Sequence, residues 1–320
     1  MIIVTGAAGF IGSCIVSHLN QSGRRNIIVT DVLRTNDKWK NLRHLDFVDY
    51  LDRSQLFSFL QGRSDVRAVI HMGACSATTE KDAAYLIENN YRYTLRLAEY
   101  CLQNDARFIY ASSAATYGAG ELGYDDDETQ LQRLRPMNMY GYSKQLFDLK
   151  ARREGWFKKI VGLKFFNVYG PNEYFKGDMA SVIFKAFNQI KEKGYVRLFK
   201  SHRPDFKDGE QLRDFVYVKD VLNIIDFFLQ QPQLSGIYNA GTGRARSFKD
   251  LVSATFKAMD LPVNIEYIDM PQEIRDRYQY FTEANMDKLQ KAGYTRPFYS
   301  LEEGISDYVQ NYLMKDLAPF

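Results

Sequence analysis

Three glycines spaced three apart, Gly6, Gly9 and Gly12, stand between an apolar run and a helix-forming stretch at the start of the chain. Ile2–Thr5 reads as a short buried strand, and Phe10–Gln21 has helical periodicity. Glycines at such a junction permit a tight turn, close approach of backbone to a pyrophosphate, and close helix-to-strand packing. The helix N-terminus then offers unpaired N–H groups to an anion. The spacing is G-x-x-G-x-x-G rather than the general G-x-G-x-x-G, and a purely structural turn could use it too. Its place between the first strand and the first helix, with Asp31 closing a second strand, favours dinucleotide binding.

The first half continues the alternation. Asn26–Thr30 reads as a second strand ending at Asp31, Leu45–Val48 as a weak third, and Ser54–Leu60 as a helix. Val66–His71 is a fourth strand, a long helix covers about Glu80 to Gln103, and Arg107–Ala111 is a fifth strand. Tyr140–Arg153 is a helix leading to strand Ile160–Phe165. Strands alternating with crossover helices predict an α/β fold with a doubly wound parallel sheet and helices on both faces.

After Gly170-Pro171 the pattern loosens. A helix near Met179–Lys193, a strand near Val196–Phe199, a polar loop Ser201–Leu212, an alternating Arg213–Val218, a helix Val221–Gln230 and a sheet strand Gly236–Ala240 follow. The segments Ser247–Met259, Asn264–Ile268, Phe281–Lys291 and Leu301–Tyr312 are mixed. The expected organisation is a Rossmann-type dinucleotide-binding domain over residues 1–170, rejoined by a strand and helix near 214–241. A smaller mixed α/β substrate lobe comes from noncontiguous parts of 171–320.

Composition narrows the function classes. With 320 residues, 45% hydrophobic and 25% charged, the chain matches an ordinary globular protein able to bury a large core. A net charge of +3 with dispersed basic residues gives no argument for nucleic acid or a membrane surface. No apolar run approaches the roughly 18 residues of a membrane span. Met1-Ile2-Ile3-Val4 leads into the glycines without a basic region or cleavage site, so a cytoplasmic location is expected. Cys14, Cys75 and Cys101 lack pairing or metal spacing and read as buried side chains. His18, His44, His71 and His202 are scattered, so no metal is expected. The acidic run Asp125–Glu128 reads as a solvated loop.

Candidate site residues follow from position. Asp31 can take the adenosine ribose hydroxyls of NAD, while Arg34, Lys38 and Arg53 could neutralise a 2′-phosphate and tilt the choice toward NADP. Met72-Gly73-Ala74-Cys75-Ser76 ends the fourth strand with small residues that let backbone approach a cofactor. Asn89 is either a core polar residue or a support for the strand ends. Tyr140 and Lys144 share one helical face; an ammonium and an oxidised nicotinamide would pull the phenol down from about pKa 10 toward the working range. Ser113, at the end of the fifth strand, could hydrogen-bond a substrate oxygen as it becomes a carbonyl.

Glycine turn, strand-end serine and Tyr–Lys pair in this order resemble the extended short-chain dehydrogenase/reductase family, which includes nucleotide-sugar epimerases and dehydratases. Dehydratases need an extra acid and base beside that serine, usually Asp-Glu; Ala114 and Ala115 stand there and neither transfers a proton. Longer segments resemble the heptose 6-epimerases: Gly73–Glu80, Ala111–Gly118, Asn138–Lys144, Phe166–Pro171, Lys176–Ser181, Arg213–Val218 and Arg277-Tyr278-Gln279. The resemblance spans nearly the whole chain.

It implies NADP as cofactor, with NAD an option, held by Gly6, Gly9, Phe10, Ile11, Gly12, Asp31, Val32, Lys38, Arg53, Met72 to Ser76, Asn89, Lys144, Val168 and Lys176. It implies Tyr140 and Lys176 as two proton acceptors, served by Ser113 and Lys144; without it, Lys176 would read as an exposed loop lysine. Substrate contacts fall on Ser113, Asn167, Asp178, Lys185, Phe199, Lys200, Ser201, His202, Arg213 and Tyr278. Asp178 stands where the family usually has Ser, Lys185 where His is common, and the loop from Phe199 to Arg213 is longer than usual. The implied reaction inverts C6 of an ADP-linked heptose through a transient ketone, feeding lipopolysaccharide core synthesis. The implied assembly is a homo-oligomer, a pentamer among the options. A UDP-hexose 4-epimerase is the rival enzyme, disfavoured by the Lys-Gly-x-Met-Ala-Ser segment. A noncatalytic NADP sensor would have lost Tyr140 or Lys144.

Overall fold

The computed structural model describes residues 1–275 and 278–320. Its strands are β1 (Ile2–Thr5), β2 (Ile27–Asp31), β3 (Asp49–Asp52), β4 (Ala68–His71), β5 (Arg107–Ser113) and β6 (Val161–Phe165) in the first half. The second half adds β7 (Asn167–Tyr169), β8 (Val196–Phe199), β9 (Leu212–Tyr217), β10 (Gly236–Ala240), β11 (Ala245–Ser247) and β12 (Ile265–Ile268). The main helices are α1 (Phe10–Gln21), α2 (Leu56–Leu60), α3 (Ala83–Leu86), α4 (Tyr93–Gln103), α5 (Met139–Arg153), α6 (Val182–Lys193), α7 (Val218–Gln230) and α8 (Phe248–Ala258). Short helices α9 (Gln272–Arg275), α10 (Asp287–Lys291) and α11 (Leu301–Tyr308) follow.

Seven strands form one parallel sheet in the order β10-β6-β5-β4-β1-β2-β3. Inner strands buried along their whole length, such as Ala68–His71, explain the continuous apolar runs that a sheet covered on both faces requires. Helix α1 packs on α7, and a π-helical turn (Ile87–Arg92) between α3 and α4 packs on α5, which makes the covering layers. The Rossmann-type sheet expected from the alternation is therefore present. The chain runs outward through β1, β2 and β3 and then crosses back to β4, so the strand order switches between β1 and β4. Ligands of open α/β sheets bind outside the carboxyl ends of the strands at such a crevice.

Two small sheets lie beside the main one. Strands β11-β9-β7 form a mixed sheet, and β12 pairs with β8 in parallel. Among the described residues no helix is long and apolar enough to cross a membrane.

The third strand falls at Asp49–Asp52, not at the expected Leu45–Val48. The earlier amides are already committed: Leu45 N–H donates to Leu42 O, and Asp46 exchanges two 2.8 Å bonds with the Asn20 side chain. Ladder contact with β2 begins only where Val48 N–H meets Ile27 O. Strand β7 was not anticipated, because its three residues follow β6 after a single break at Phe166, whose N–H donates to Ala240 O. Helix α6 starts at Val182, three residues later than expected, since Ser181 caps it by accepting from Phe184 N–H.

Candidate active site

The glycine turn is built as its sequence requires. Gly6 sits at φ +66°, and a Cβ there would lie 2.7 Å from Gly73 Cα on the neighbouring strand end. A Cβ on Gly12 would overlap the Gly6 carbonyl oxygen. Gly9 caps α1 with extended backbone, no side-chain cap bond and no acidic residue in the first turn, so the helix presents its amides and positive dipole end to the cleft.

Asp31 is buried at the end of β2. One carboxylate oxygen accepts from Ala8 N–H (2.9 Å); the other accepts from Val32 N–H (2.7 Å) and the Lys38 ammonium (2.6 Å). The expected ribose acid and the expected phosphate lysine are thus joined as an ion pair. Beside them a pocket of about 510 Å³ is lined by Asp31, Val32, Arg34, Arg53, Cys75 and Asn89, among others. It shares Gly6, Asp31, Lys38, Gly73 and Ala74 with a larger cleft of about 810 Å³.

That cleft contains Gly9, Phe10, Ile11, Gly12, Met72 and Ser76 together with Ser113, Tyr140, Lys144, Asn167, Val168, Lys176, Asp178, Arg213 and Tyr278. Most of the expected site residues therefore converge on one connected space. Lys144 is buried and donates to Ala111 O at 2.7 Å; burial lowers its pKa to about 8, partly opposed by the Asp148 carboxylate one turn further along α5. Burial pushes the Tyr140 phenol above its ordinary value, and its hydrogen bond with Ser113 works the other way. The expected lowering of that phenol is not what the protein alone displays, because burial outweighs the Ser113 hydrogen bond.

Lys176 is half-buried at the junction of two 3₁₀ turns, Glu173–Phe175 and Gly177–Met179, with its ammonium 5.3 Å from the centre of the Phe10 ring. Burial lowers its proton affinity, the Glu173 carboxylate raises it and the Lys185 ammonium lowers it. Arg213 is buried between the Phe248 and Tyr278 rings and donates to the Leu212 and Gln279 carbonyls, and burial lowers its pKa. Gln279 in turn donates to Gly118 O beside the cleft.

Phe199, Lys200, Ser201 and His202 do not line this cleft, contrary to the expected substrate contacts. Strand β8 belongs to the separate β8–β12 pair, and the loop folds on itself: Ser201 N–H donates to Asp208 and Lys200 pairs with Asp269 at 3.4 Å. Phe199 reaches the site only through the edge of Tyr278. Lys185 is exposed and donates to Asp178 O at 2.6 Å, outside the lining as well. Arg277, part of a motif singled out above, lies outside the described residues.

The sequence pattern of the NAD dependent epimerase/dehydratase family matches residues 2–241. The chain belongs to this family. A relative from Nitratidesulfovibrio vulgaris, named ADP-L-glycero-D-manno-heptose-6-epimerase, is 57% identical over 316 residues, 98% of each chain. The crystal structure of the Helicobacter pylori ADP-L-glycero-D-manno-heptose-6-epimerase is 30% identical, superposes with a TM-score of 0.81, and covers 97% of this chain and 95% of its own. That of the Thermus thermophilus UDP-glucose 4-epimerase complex with NAD is 28% identical with a TM-score of 0.77, covering 96% and 97%. As a member of this NAD dependent family, the chain takes a nicotinamide dinucleotide as its cofactor class.

Two buried residues behind the cleft escaped the sequence reading. Asn90, adjacent to the Asn89 singled out, accepts from Cys75 N–H and Asn89 and donates to Cys75 O and Ser143 Oγ. It ties the end of β4 to the helix carrying Tyr140, while Asn89 lines the pocket. The π-helical turn, an irregularity often found at functional sites, turns both neighbours inward. Glu173 is wholly buried under the Lys176 segment; only its charge in an apolar context could have flagged it.

Proposed function

We propose that this chain inverts C6 of ADP-glycero-manno-heptose from D-glycero to L-glycero, with NADP as the cofactor. The observation that carries the reading is that Tyr140 and Lys176, two titratable side chains on separate elements, line one cleft. The names of the relatives support the same substrate. The cofactor fits: the uncapped α1 amides suit a pyrophosphate, Lys38 and Arg53 suit a 2′-phosphate, and Lys144 suits the nicotinamide ribose. When bound, NADP would take the C6 hydride and return it to the opposite face, so no net redox occurs.

Tyr140 would accept the C6 hydroxyl proton of one epimer while Ser113 holds the same oxygen by its hydroxyl. Lys176 would serve the other epimer. C6 lies outside the pyranose ring, so rotation about C5–C6 presents either face without moving the nucleotide. Arg213 would meet the diphosphate. Ala114 and Ala115 supply no acid or base for expelling water, which sets dehydration aside. The reading extends to a cytoplasmic homo-oligomer that supplies activated heptose for lipopolysaccharide core. Incubation of the purified protein with ADP- and UDP-linked sugars, read by NMR, tests it. C6 inversion of the ADP-heptose is expected; C4 inversion of a UDP-hexose, without C6 inversion, would refute it.

A further inference from the structure

The segment carrying Lys176 is closed at both ends by one carboxylate. Glu173 accepts from Gly170 N–H (3.4 Å), where the segment begins, and from Ser181 N–H (2.6 Å) and Ser181 Oγ–H (2.7 Å), where it ends. Ser181 Oγ is itself the acceptor for Phe184 N–H at the start of α6, so its proton is committed to Glu173. All three of these bonds are accepted by the carboxylate; burial raises its proton affinity, and the bonds from Ser181 and Gly170 and the Lys176 ammonium work the other way. Between the staples, Lys176 N–H donates to Glu173 O and Met179 N–H to Lys176 O, which fixes the two turns on either side of the lysine.

We propose that Glu173 is the positioning residue and countercharge of Lys176: it holds the segment shut so that the ammonium faces the cleft, and it sets the proton affinity of that lysine. This inference rests on the reading of Lys176 as the second proton acceptor. Burial without charge would make Lys176 a weak ammonium, and a buried carboxylate three residues away opposes that trend. The groups facing Glu173 are few. Cys14 comes from α1, Tyr308 from α11, and Tyr174 and Lys176 from the segment itself. Lys176 also faces Lys185 of α6, a like charge. Among these groups only Glu173 supplies a buried negative charge, so its removal acts on Lys176 with a definite sign.

The test compares Glu173→Gln, Ser181→Ala and Lys176→Met in the full-length protein with bound dinucleotide. Each epimer is followed separately in single turnover by nicotinamide absorbance, and steady-state epimerisation is followed across pH. Lys176→Met should abolish turnover of one epimer. Glu173→Gln should slow that same epimer by about tenfold or more, the scale of a misplaced acid–base group, and leave the other epimer and dinucleotide affinity within about twofold. Loss of the carboxylate should also move the acid limb that reports the lysine to lower pH, because a lysine without its countercharge gives up its proton sooner. Ser181→Ala keeps the charge and removes one staple, so it should slow the reaction a few-fold with the limb unmoved. An unchanged rate and limb in Glu173→Gln, with Lys176→Met still selective, overturns this proposal alone. Equal losses on both epimers also overturn it, by making Glu173 a general fold residue. If Lys176→Met turns over both epimers like the parent, the second-acceptor reading fails and the proposal falls with it.

Discussion

Lys164→Met tests the buried charge pair beneath the reacting groups. Lys164 and Asp148 are wholly buried, 3.1 Å apart, and join β6 to α5. The ammonium also donates to Thr116 Oγ1 at 2.5 Å and lies 4.8 Å from the centre of the Tyr117 ring. Asp148 accepts in addition from Tyr110 Oη and Ser112 Oγ, both at 2.7 Å. Removing the lysine leaves a carboxylate without its cation in a dry interior, a change that costs about 3–5 kcal/mol. An unfolding entropy of about 2.1 cal/mol/K per residue over 320 residues gives about 0.7 kcal/mol/K, so Tm should fall by about 4–7 °C. Far-UV circular dichroism measures this at one fixed dinucleotide concentration, because bound ligand raises the apparent Tm by mass action. The double variant Lys164→Met, Asp148→Leu should recover part of the loss. Recovery stops short because Tyr110 and Ser112 lose their acceptor, at about 1–3 kcal/mol for each donor left unpaired. A single variant within about 1 kcal/mol of the parent, or a double variant as unstable as the two singles added, would refute the reasoning.

Three further outcomes follow from the site. Tyr140→Phe should lower turnover by at least about 10²-fold with dinucleotide affinity kept; retained turnover in a stopped assay would remove the phenol from the chemistry. Lys144, lowered by burial to about 8, should lose its proton as pH rises through that value, so turnover falls on the alkaline side and Lys144→Ala abolishes that limb while weakening dinucleotide binding. Its effect on stability has the opposite sign: between about 8 and the ordinary 10.5 the folded protein holds fewer protons than the unfolded chain, so this group favours folding more as pH rises through that window, checked by urea midpoints at pH 7.5 and 10. NADP should bind more tightly than NAD, and neutralising Lys38 and Arg53 together should narrow the gap; a double variant that discriminates like the parent would move the phosphate to other residues, Arg34 first.

The cofactor half was legible because its rules are local. Gly6, Gly9 and Gly12 announce a turn, and strand ends at Thr5, Asp31 and His71 follow from short periodic runs, whereas the fifth strand runs two residues past its expected end, to Ser113. The third strand slipped because its limits depend on the Asn20 side chain, 26 residues from Asp46, and no window around Leu45–Val48 contains that partner. Strand β7 slipped for a similar reason, since its partner β9 begins at Leu212. The substrate side depends on contacts of this long-range kind throughout. Arg213 is held by Gln279, and Phe199 is kept from the cleft by the pairing of β8 with β12.

Charge state was the least legible property, because burial decides its sign. Spacing alone puts Tyr140 and Lys144 on one helical face and suggests that the ammonium lowers the phenol. In the folded chain the ammonium is 2.7 Å from Ala111 O, and burial raises the phenol. Another cation of the cleft, Lys176, lies over the Phe10 ring with Glu173 below its segment. A phenol above pKa 10 exchanges protons poorly near neutrality, and a positive charge within about 4–6 Å is what would bring it down. Lys144 donates to Ala111 O and Lys176 lies over Phe10, and the positive charge of an oxidised nicotinamide would add to theirs. On the proposed reading the Tyr140 phenol should therefore titrate lower with oxidised dinucleotide bound than without it, read by ultraviolet difference titration of the parent against Tyr140→Phe; an unchanged phenol would refute this.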